Sequence, residues 1–137
     1  MRIDPGSDAG ARVDDRQAFT PVVHVGNEGT VTFYDFRNNT AADGMLATDQ
    51  WAVCCRPASE DCSRSAGWNE ESRATPASFD MRQAPFAGGY FTGDYEGLGI
   101  ASSDGDAVGP ASDVFVSCFS QLPGGDPSSA FSSPLAP

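Results

Sequence analysis

The hydrophobic and polar positions of the chain favour short β-strands over helices. Residues 19–25 and 30–37 are rich in β-branched and aromatic side chains, and a turn containing Gly and Asn at residues 26–29 separates them. Two such runs around a short turn are typical of an antiparallel hairpin. No long apolar segment of helical periodicity occurs in the sequence. We therefore predict an all-β chain with a hairpin over residues 19–37.

The strand pattern continues after the hairpin. Residues 45–55 predict a third strand, in which we interpret Thr48 and Asp49 as a polar pair at the strand exit. Residues 56–66 are polar and rich in Cys and Ser, which indicates a long loop, and residues 68–73 predict a short outer strand. Four strands within about fifty residues is the size of one blade of a β-propeller.

The same pattern begins again in the second half of the chain. Strands are predicted to start at Tyr90 and to cover residues 98–101 and 113–119. We therefore predict antiparallel four-stranded meander blades of a partial β-propeller, with two blades, or two and part of a third, in residues 19–122. Residues 1–18 form a polar lead-in, and the Pro- and Ser-rich residues 123–137 form a disordered tail. An open set of blades exposes strand edges, so we expect self-association through them.

The charge of the chain restricts its partners. The 137 residues carry a formal net charge of -11, and all eight basic residues are arginine. This acidic balance argues against a nucleic-acid partner, because phosphates would be repelled. No apolar run is long enough to span a membrane. Any anion site must use arginine, whose planar guanidinium suits carboxylates.

The four cysteines, Cys54, Cys55, Cys62 and Cys118, leave three interpretations open. Cys62 forms a local disulfide with Cys54 or Cys55, or the thiols are free and buried, or they bind a metal, although their spacing fits no standard zinc pattern. A disulfide would indicate an extracellular or periplasmic location. The first residues lack the apolar region of a signal peptide, so we expect the chain to lack an N-terminal part.

Three features in order along the chain carry a family resemblance. The first is the hairpin with Pro-Val-Val at 21–23 and Gly-Thr-Val at 29–31 ahead of Tyr-Asp-Phe-Arg at 34–37. The second is Ser-Glu-Asp at 59–61 followed by Gly-Trp at 67–68, similar to a degraded Asp-box with an insertion and without its Thr. The third is Gly-Tyr-Phe-Thr-Gly-Asp-Tyr-Glu-Gly-Leu at 89–98. Together they resemble the C-terminal portion of bacterial sialidase-like proteins with BNR repeats.

The resemblance implies a glycoside hydrolase propeller of the exo-α-sialidase type, which acts on a glycan and is secreted, periplasmic or located at the cell surface. In that family a Tyr nucleophile is assisted by a Glu, an Asp serves as acid, and arginines hold the sugar carboxylate. The candidate residues are Tyr95, Glu96 and Asp94 for catalysis, and Arg37, Asp35 and Tyr90 for substrate binding. The alternative is a non-catalytic propeller segment for glycan binding, adhesion or scaffolding. A third idea is a cytosolic regulatory module.

Several of these residues also have a structural interpretation. Asp94 suits a turn cap, and Tyr90 and Tyr95 suit packing between blades. Asp35 and Arg37 lie two apart on one strand, so they share a face and can form an ion pair. His24 lies in an apolar run and suits a buried position. No cofactor is expected; a calcium site would need the acids of residues 104–113, which fit solvated turns better.

Overall fold

The computed structural model describes residues 18–26, 28–40, 44–68, 71–85, 88–89, 96–101, 114–121 and 129–135. Within these ranges the regular structure consists of strands and two short 3₁₀ turns, and none of them contains an α-helix. All strand pairs are antiparallel, which confirms the all-β prediction. None of the described residues belongs to a helix that could cross a membrane. The strands are β1 (Phe19–Val25), β2 (Gly29–Asp35), β3 (Ala47–Cys55), β4 (Ser72–Arg73), β5 (Phe79–Asp80), β6 (Gly97–Ala101), β7 (Val114–Gln121) and β8 (Ser129–Leu135).

The first sheet is a meander in the order β1-β2-β3-β4. The predicted hairpin is confirmed, because β1 pairs with β2 up to Val25 opposite Gly29. The fourth position is divided between two short strands that both pair with β3. A backbone hydrogen bond from Ala74 N to Gln50 O extends the β4 pairing by one step, and the chain then leaves the ladder over residues 75–78 before β5.

The first sheet buries side chains on both of its faces. Successive residues of a strand point to opposite faces, and β2 is buried at each position from Thr30 to Asp35. Tyr34 and Ala52 lie in one apolar cluster, whose other buried members are Ala74, Phe79, Met81, Ala84 and Leu135. The opposite face carries a second cluster of Val31, Phe33 and Val53, with Trp51 and Trp68 packed against it.

The second sheet has the order β6-β7-β8. The prediction of a disordered tail at residues 123–137 is wrong for Ser129–Leu135, which pairs with Phe115–Gln121 along its whole length. Ladder hydrogen bonds come from the backbone, so a Ser-rich segment can complete a sheet that its side chains would not predict. Leu135 and Leu98 also pack in the cluster around Tyr34, so the second sheet contributes to the core of the first.

The loop after β3 contains a disulfide, which shows how two of the four cysteines are paired. Cys55 and Cys62 form a disulfide with their Cα atoms 5.9 Å apart. Cys54 is buried, is not in a disulfide, and lies 3.3 Å from the hydroxyl of Thr30. Of the interpretations left open by the sequence, the disulfide is therefore confirmed for Cys62, and its partner is Cys55. The thiol of Cys118 lies outside the described side chains.

A close backbone contact shapes the same loop. Asp61 Oδ1 accepts hydrogen bonds from the backbone N–H and hydroxyl of Ser63, which fixes a turn. Gly67 lies against that turn so tightly that a Cβ at this position would be 2.3 Å from the carbonyl oxygen of Asp61. Trp68 follows directly and donates its indole N–H to Cys62 O at 3.1 Å. The absence of a side chain at Gly67 therefore allows Trp68 to reach the sheet.

Replacing Gly67 by Ala should lower the free energy of unfolding by about 1–3 kcal/mol, because backbone atoms have to move to accept the methyl group. Urea denaturation measures this loss. Gly89→Ala is the matched control, since a Cβ at Gly89 meets nothing within 4 Å. Equal effects of the two substitutions would contradict the close contact at Gly67.

Candidate functional site

Two buried carboxylates face each other where β2 and β3 pair. Asp35 and Asp49 are register partners, and their residues are 2% and 0% exposed. A buried carboxylate needs hydrogen bonds or an opposite charge to offset the loss of water. Each of the two has its own arginine, Arg37 for Asp35 and Arg73 for Asp49.

Asp49 accepts hydrogen bonds from four side chains. Arg73 Nε, Thr75 Oγ1 and Ser78 Oγ each lie 2.9 Å from its oxygens, and Asn38 Nδ2 lies 2.8 Å away. Thr75 and Ser78 belong to the break between β4 and β5, so this interruption of the ladder brings both hydroxyls to the carboxylate. The prediction that Asp49 lies at a strand exit is wrong, because its partners make burial within β3 favourable.

The guanidinium of Arg37 is fully engaged within the fold. Its Nε donates to Asp35 Oδ2 at 2.6 Å, and both Nη atoms donate to the carboxylate of Glu71. Its flat face lies 4.0 Å from the ring centre of Trp51. Burial alone would lower the pKa of Arg37, but the hydrogen bonds and charges of Glu71 and Asp35 outweigh it and raise that pKa. The predicted ion pair of Asp35 and Arg37 is confirmed.

We use the name Asp49 cluster for the following group of residues: Asp35, Arg37, Asn38, Asp49, Glu71, Arg73, Thr75 and Ser78. Its charges are three carboxylates and two guanidinium groups, so it carries a formal excess of one negative charge. An anionic ligand at Arg37 would have to displace Asp35 or Glu71 and would meet that excess charge. Among the described residues no group of acids, His or Cys could hold a metal ion.

Glu96 lies on the other side of β2, directly before β6. Its carboxyl is half-buried and accepts hydrogen bonds from Tyr34 and, at 3.4 Å, from Thr20 Oγ1. The atom Oε2 is buried and has no hydrogen-bond partner in the part of the chain that the structure describes. Burial raises the pKa of Glu96 to about 7, although the hydrogen bonds from Tyr34 and Thr20 act in the opposite direction. This carboxyl can therefore gain or lose a proton near neutral pH.

The backbone at Thr20 is strained where it meets Glu96. Its φ of 44° lies in the left-handed region, which is uncommon for a residue other than glycine. The β1–β2 register is irregular between Phe19 and Val22, as at a β-bulge. Bulges redirect side chains, and strained residues persist only where their surroundings hold them. The bulge and the hydroxyl contact thus join β1 to the start of β6.

The predicted site residues fall into two separate environments. Asp35 and Arg37 belong to the Asp49 cluster, whereas Glu96 contacts Tyr34, whose side chain points to the opposite face of β2. The structure does not bring these two groups together. Tyr90, Asp94 and Tyr95 lie outside the described residues, as do the acids of the considered calcium site. His24 is half-buried in β1.

Sequence reasoning missed the partners of Asp49. Arg73 was predicted only as part of a short outer strand, and the contacts of Glu71 and Trp51 with Arg37 were not predicted either. The one local signal is the Thr-Pro-Ala-Ser sequence at residues 75–78, which is typical of a turn. A turn signal does not reveal which buried group its hydroxyls will meet.

The chain matches no protein-family model, no curated protein and no solved structure. Its candidate sites are therefore interpreted from their own contacts.

Asp49→Asn should lower the free energy of unfolding by about 2–4 kcal/mol, because Arg73 loses a buried charged partner and an amide accepts fewer hydrogen bonds. Chemical denaturation measures the change. Asp61→Asn is the control: that carboxylate is exposed and also pairs with an arginine, so a much smaller loss is expected. A loss at Asp49 no larger than that at Asp61 would contradict the importance of the cluster.

The raised pKa of Glu96 predicts a pH-dependent stability. The folded state keeps the Glu96 proton up to about pH 7, whereas the unfolded state loses it near the ordinary value of 4.5. Between these values the folded state binds more protons, so stability should fall as pH rises and then level off. Because the carboxyl is partly exposed, we expect a loss of about 1–2 kcal/mol.

Denaturation midpoints of the wild type and Glu96→Gln between pH 4.5 and 8 test this dependence. The Gln variant should lack the decline, since it has no proton to release. Glu60→Gln, at an exposed position, should keep the wild-type decline. Parallel curves for the wild type and Glu96→Gln would show that another group is responsible.

Proposed function

We propose that the chain is the C-terminal part of a sialidase-like β-propeller and acts there as a non-catalytic, glycan-directed segment. The family assignment is supported by three motifs that occur in the expected order and by the antiparallel meander of β1 to β4. The glycan as partner follows from the resemblance. A propeller of radially arranged blades is the architecture that this proposal implies.

The loop after β3 gives the proposal structural support. In the resembled family an Asp-box closes a turn on the outer side of a blade and has a structural role. Here Asp61 caps a turn, Gly67 packs on the backbone of Asp61, and Trp68 packs on the second apolar cluster. Three of the five residues of the degraded motif thus contribute to one compact loop.

The observation that carries the non-catalytic role is the engagement of Arg37. An arginine that holds a sugar carboxylate must offer its paired N–H groups to the ligand. Arg37 instead donates to Asp35 and Glu71 and stacks on Trp51. Breaking these contacts would leave two carboxylates without their partner, at a cost that a single ligand carboxylate does not offset.

One observation favours the second candidate, a glycoside hydrolase that uses Glu96. A carboxyl with a pKa of about 7 can donate a proton at neutral pH, as the general acid of a glycosidase does. Against this, Oε2 of Glu96 is buried, and Tyr34, which hydrogen-bonds to the carboxyl, is 0% exposed. Tyr34 is therefore not placed to reach a substrate as a nucleophile.

We further propose that the protein functions outside the cytosol. The disulfide of Cys55 and Cys62 supports this location, because such bonds persist in oxidising compartments. A cytosolic regulatory role is correspondingly less favoured. Under both proposals, the expected partners are extracellular or cell-surface glycoconjugates.

Two assays separate the candidates. A fluorogenic sialoside should show no turnover at any concentration of the chain, and a glycan array should show binding. Turnover that is lost in Glu96→Gln would overturn the non-catalytic role and establish the hydrolase. Neither turnover nor binding would leave only a scaffold role.

Arg37→Lys tests the structural role of the guanidinium. We expect the variant to have a lower melting temperature, because Lys cannot make the paired hydrogen bonds to Glu71. Its affinity for glycans should be unchanged at temperatures where the variant is folded. Arg82→Lys is the matched control, since Arg82 is exposed and pairs with Asp80. A selective loss of glycan affinity in a stable Arg37→Lys protein would show that Arg37 contacts the ligand.

A further inference from the structure

The loop of residues 56–68 has few attachments to the first sheet. Its residues are exposed from Arg56 to Ala66 apart from Cys62, which is half-buried. At its base Arg56 pairs with Glu28 of the hairpin turn. Beyond that base, its connections to the sheet among the described residues are the disulfide at Cys62 and the packing of Trp68. The loop is thus held at two points close to each other.

These two points depend on one another. The indole N–H of Trp68 donates to the carbonyl oxygen of Cys62 at 3.1 Å, and Cys62 is bonded to Cys55 at the end of β3. The disulfide therefore fixes the position of the acceptor that orients the indole. Without the disulfide, that acceptor is held only by contacts within the loop, which are the turn around Asp61, the backbone hydrogen bonds of residues 56–68 and the packing of Gly67 on Asp61.

Trp68 covers one end of an apolar surface of the first sheet. Its ring packs on the cluster of Val31, Phe33 and Val53, which are at most 4% exposed. The Cβ position of Gly29 lies 3.9 Å from the far edge of the indole, so the ring extends along β2 toward the hairpin turn. Arg37 and Trp51 lie at the opposite end, near Phe33. Release of Trp68 would expose the end that includes Val31.

Cys54 cannot take over the bond when it is opened. Neighbouring strand residues point to opposite faces, and the thiol of Cys54 lies beside Thr30, away from the face covered by Trp68. After reduction, the thiols of Cys55 and Cys62 are therefore not placed to form a new disulfide with Cys54. Cys62 is the more accessible sulfur-bearing residue, because it is half-buried whereas Cys55 is 1% exposed.

We propose that the Cys55–Cys62 disulfide holds Trp68 on the second apolar cluster, and that reduction of the disulfide releases Trp68. In the opening step a dithiol donates two electrons and two protons: its own sulfurs form a disulfide, the bond between the Cys55 and Cys62 sulfurs breaks, and each of these two sulfurs takes one proton and becomes a thiol. The loop then becomes free to move as a unit, Trp68 leaves the cluster, and the first sheet itself stays folded. An oxidising environment thus keeps the apolar surface closed.

Hydrogen exchange of the two indole N–H groups, followed by NMR, tests this proposal in the full chain. The wild type and Cys54→Ser/Cys118→Ser, which retains only Cys55 and Cys62, are each measured oxidised and after reduction with dithiothreitol. Thiol alkylation and mass measurement confirm the redox state. We expect the exchange of Trp68 to accelerate about tenfold or more on reduction, as loss of a loop-closing bond implies. Trp51 and the amides of β2 and β3 should keep their protection.

Cys62→Ser reproduces the opened state without any reductant and should show the same fast exchange at Trp68. Unchanged protection of Trp68 in the reduced protein or in Cys62→Ser would overturn the proposal. So would a joint loss of protection at Trp68, Trp51 and the β2 and β3 amides, because the disulfide would then stabilise the whole fold rather than one loop.

Discussion

The burial of Asp49 near the start of β3 is the constraint on which the first sheet depends. A carboxylate without access to water is tolerated only when hydrogen bonds and an opposite charge replace its solvation. Asn38, Arg73, Thr75 and Ser78 provide these contacts from the turn after β2, from β4 and from the break before β5. One side chain therefore fixes three segments relative to β3 and determines where the fourth strand is interrupted.

The same requirement explains why the charged residues of the first sheet are poor ligand contacts. Asp35 lies opposite Asp49, so it also needs a cation, and Arg37 meets that need while Glu71 and Trp51 hold the guanidinium in place. The cluster is thus internally matched. The carboxyl whose pKa lies near neutral pH is on the other face of β2, where Glu96 is desolvated beside Tyr34. The charges of the Asp49 cluster and the titratable carboxyl of Glu96 thus lie on opposite faces of β2.

The sequence predicted the local parts of this arrangement well. The β1–β2 hairpin, β3 and the ion pair of Asp35 with Arg37 follow from neighbouring residues and were found as predicted. The role of Asp49 was missed because its partners lie 11 to 29 positions away in the sequence. Strand β8 was missed because composition describes side chains, whereas its pairing with β7 uses the backbone.

Glu96 is a second residue whose environment could not be predicted from the sequence. The family resemblance made it a candidate for acid–base chemistry, but its contacts could not be predicted. Thr20, one of its two hydrogen-bond donors, lies 76 positions earlier, on a bulge with left-handed backbone. Burial is a property of the assembled sheets, so the direction of the Glu96 pKa shift also required the fold.

The coupling energy between Asp49 and Arg73 tests the central claim most directly. A double-mutant cycle of Asp49→Asn, Arg73→Gln and the combined variant isolates the interaction of the two side chains from the other effects of each substitution. If the buried carboxylate and its cation organise the first sheet, the coupling should favour the wild-type pair by about 1.5–3 kcal/mol. Additive losses, with a coupling below about 0.5 kcal/mol, would show that the sheet does not depend on this pair.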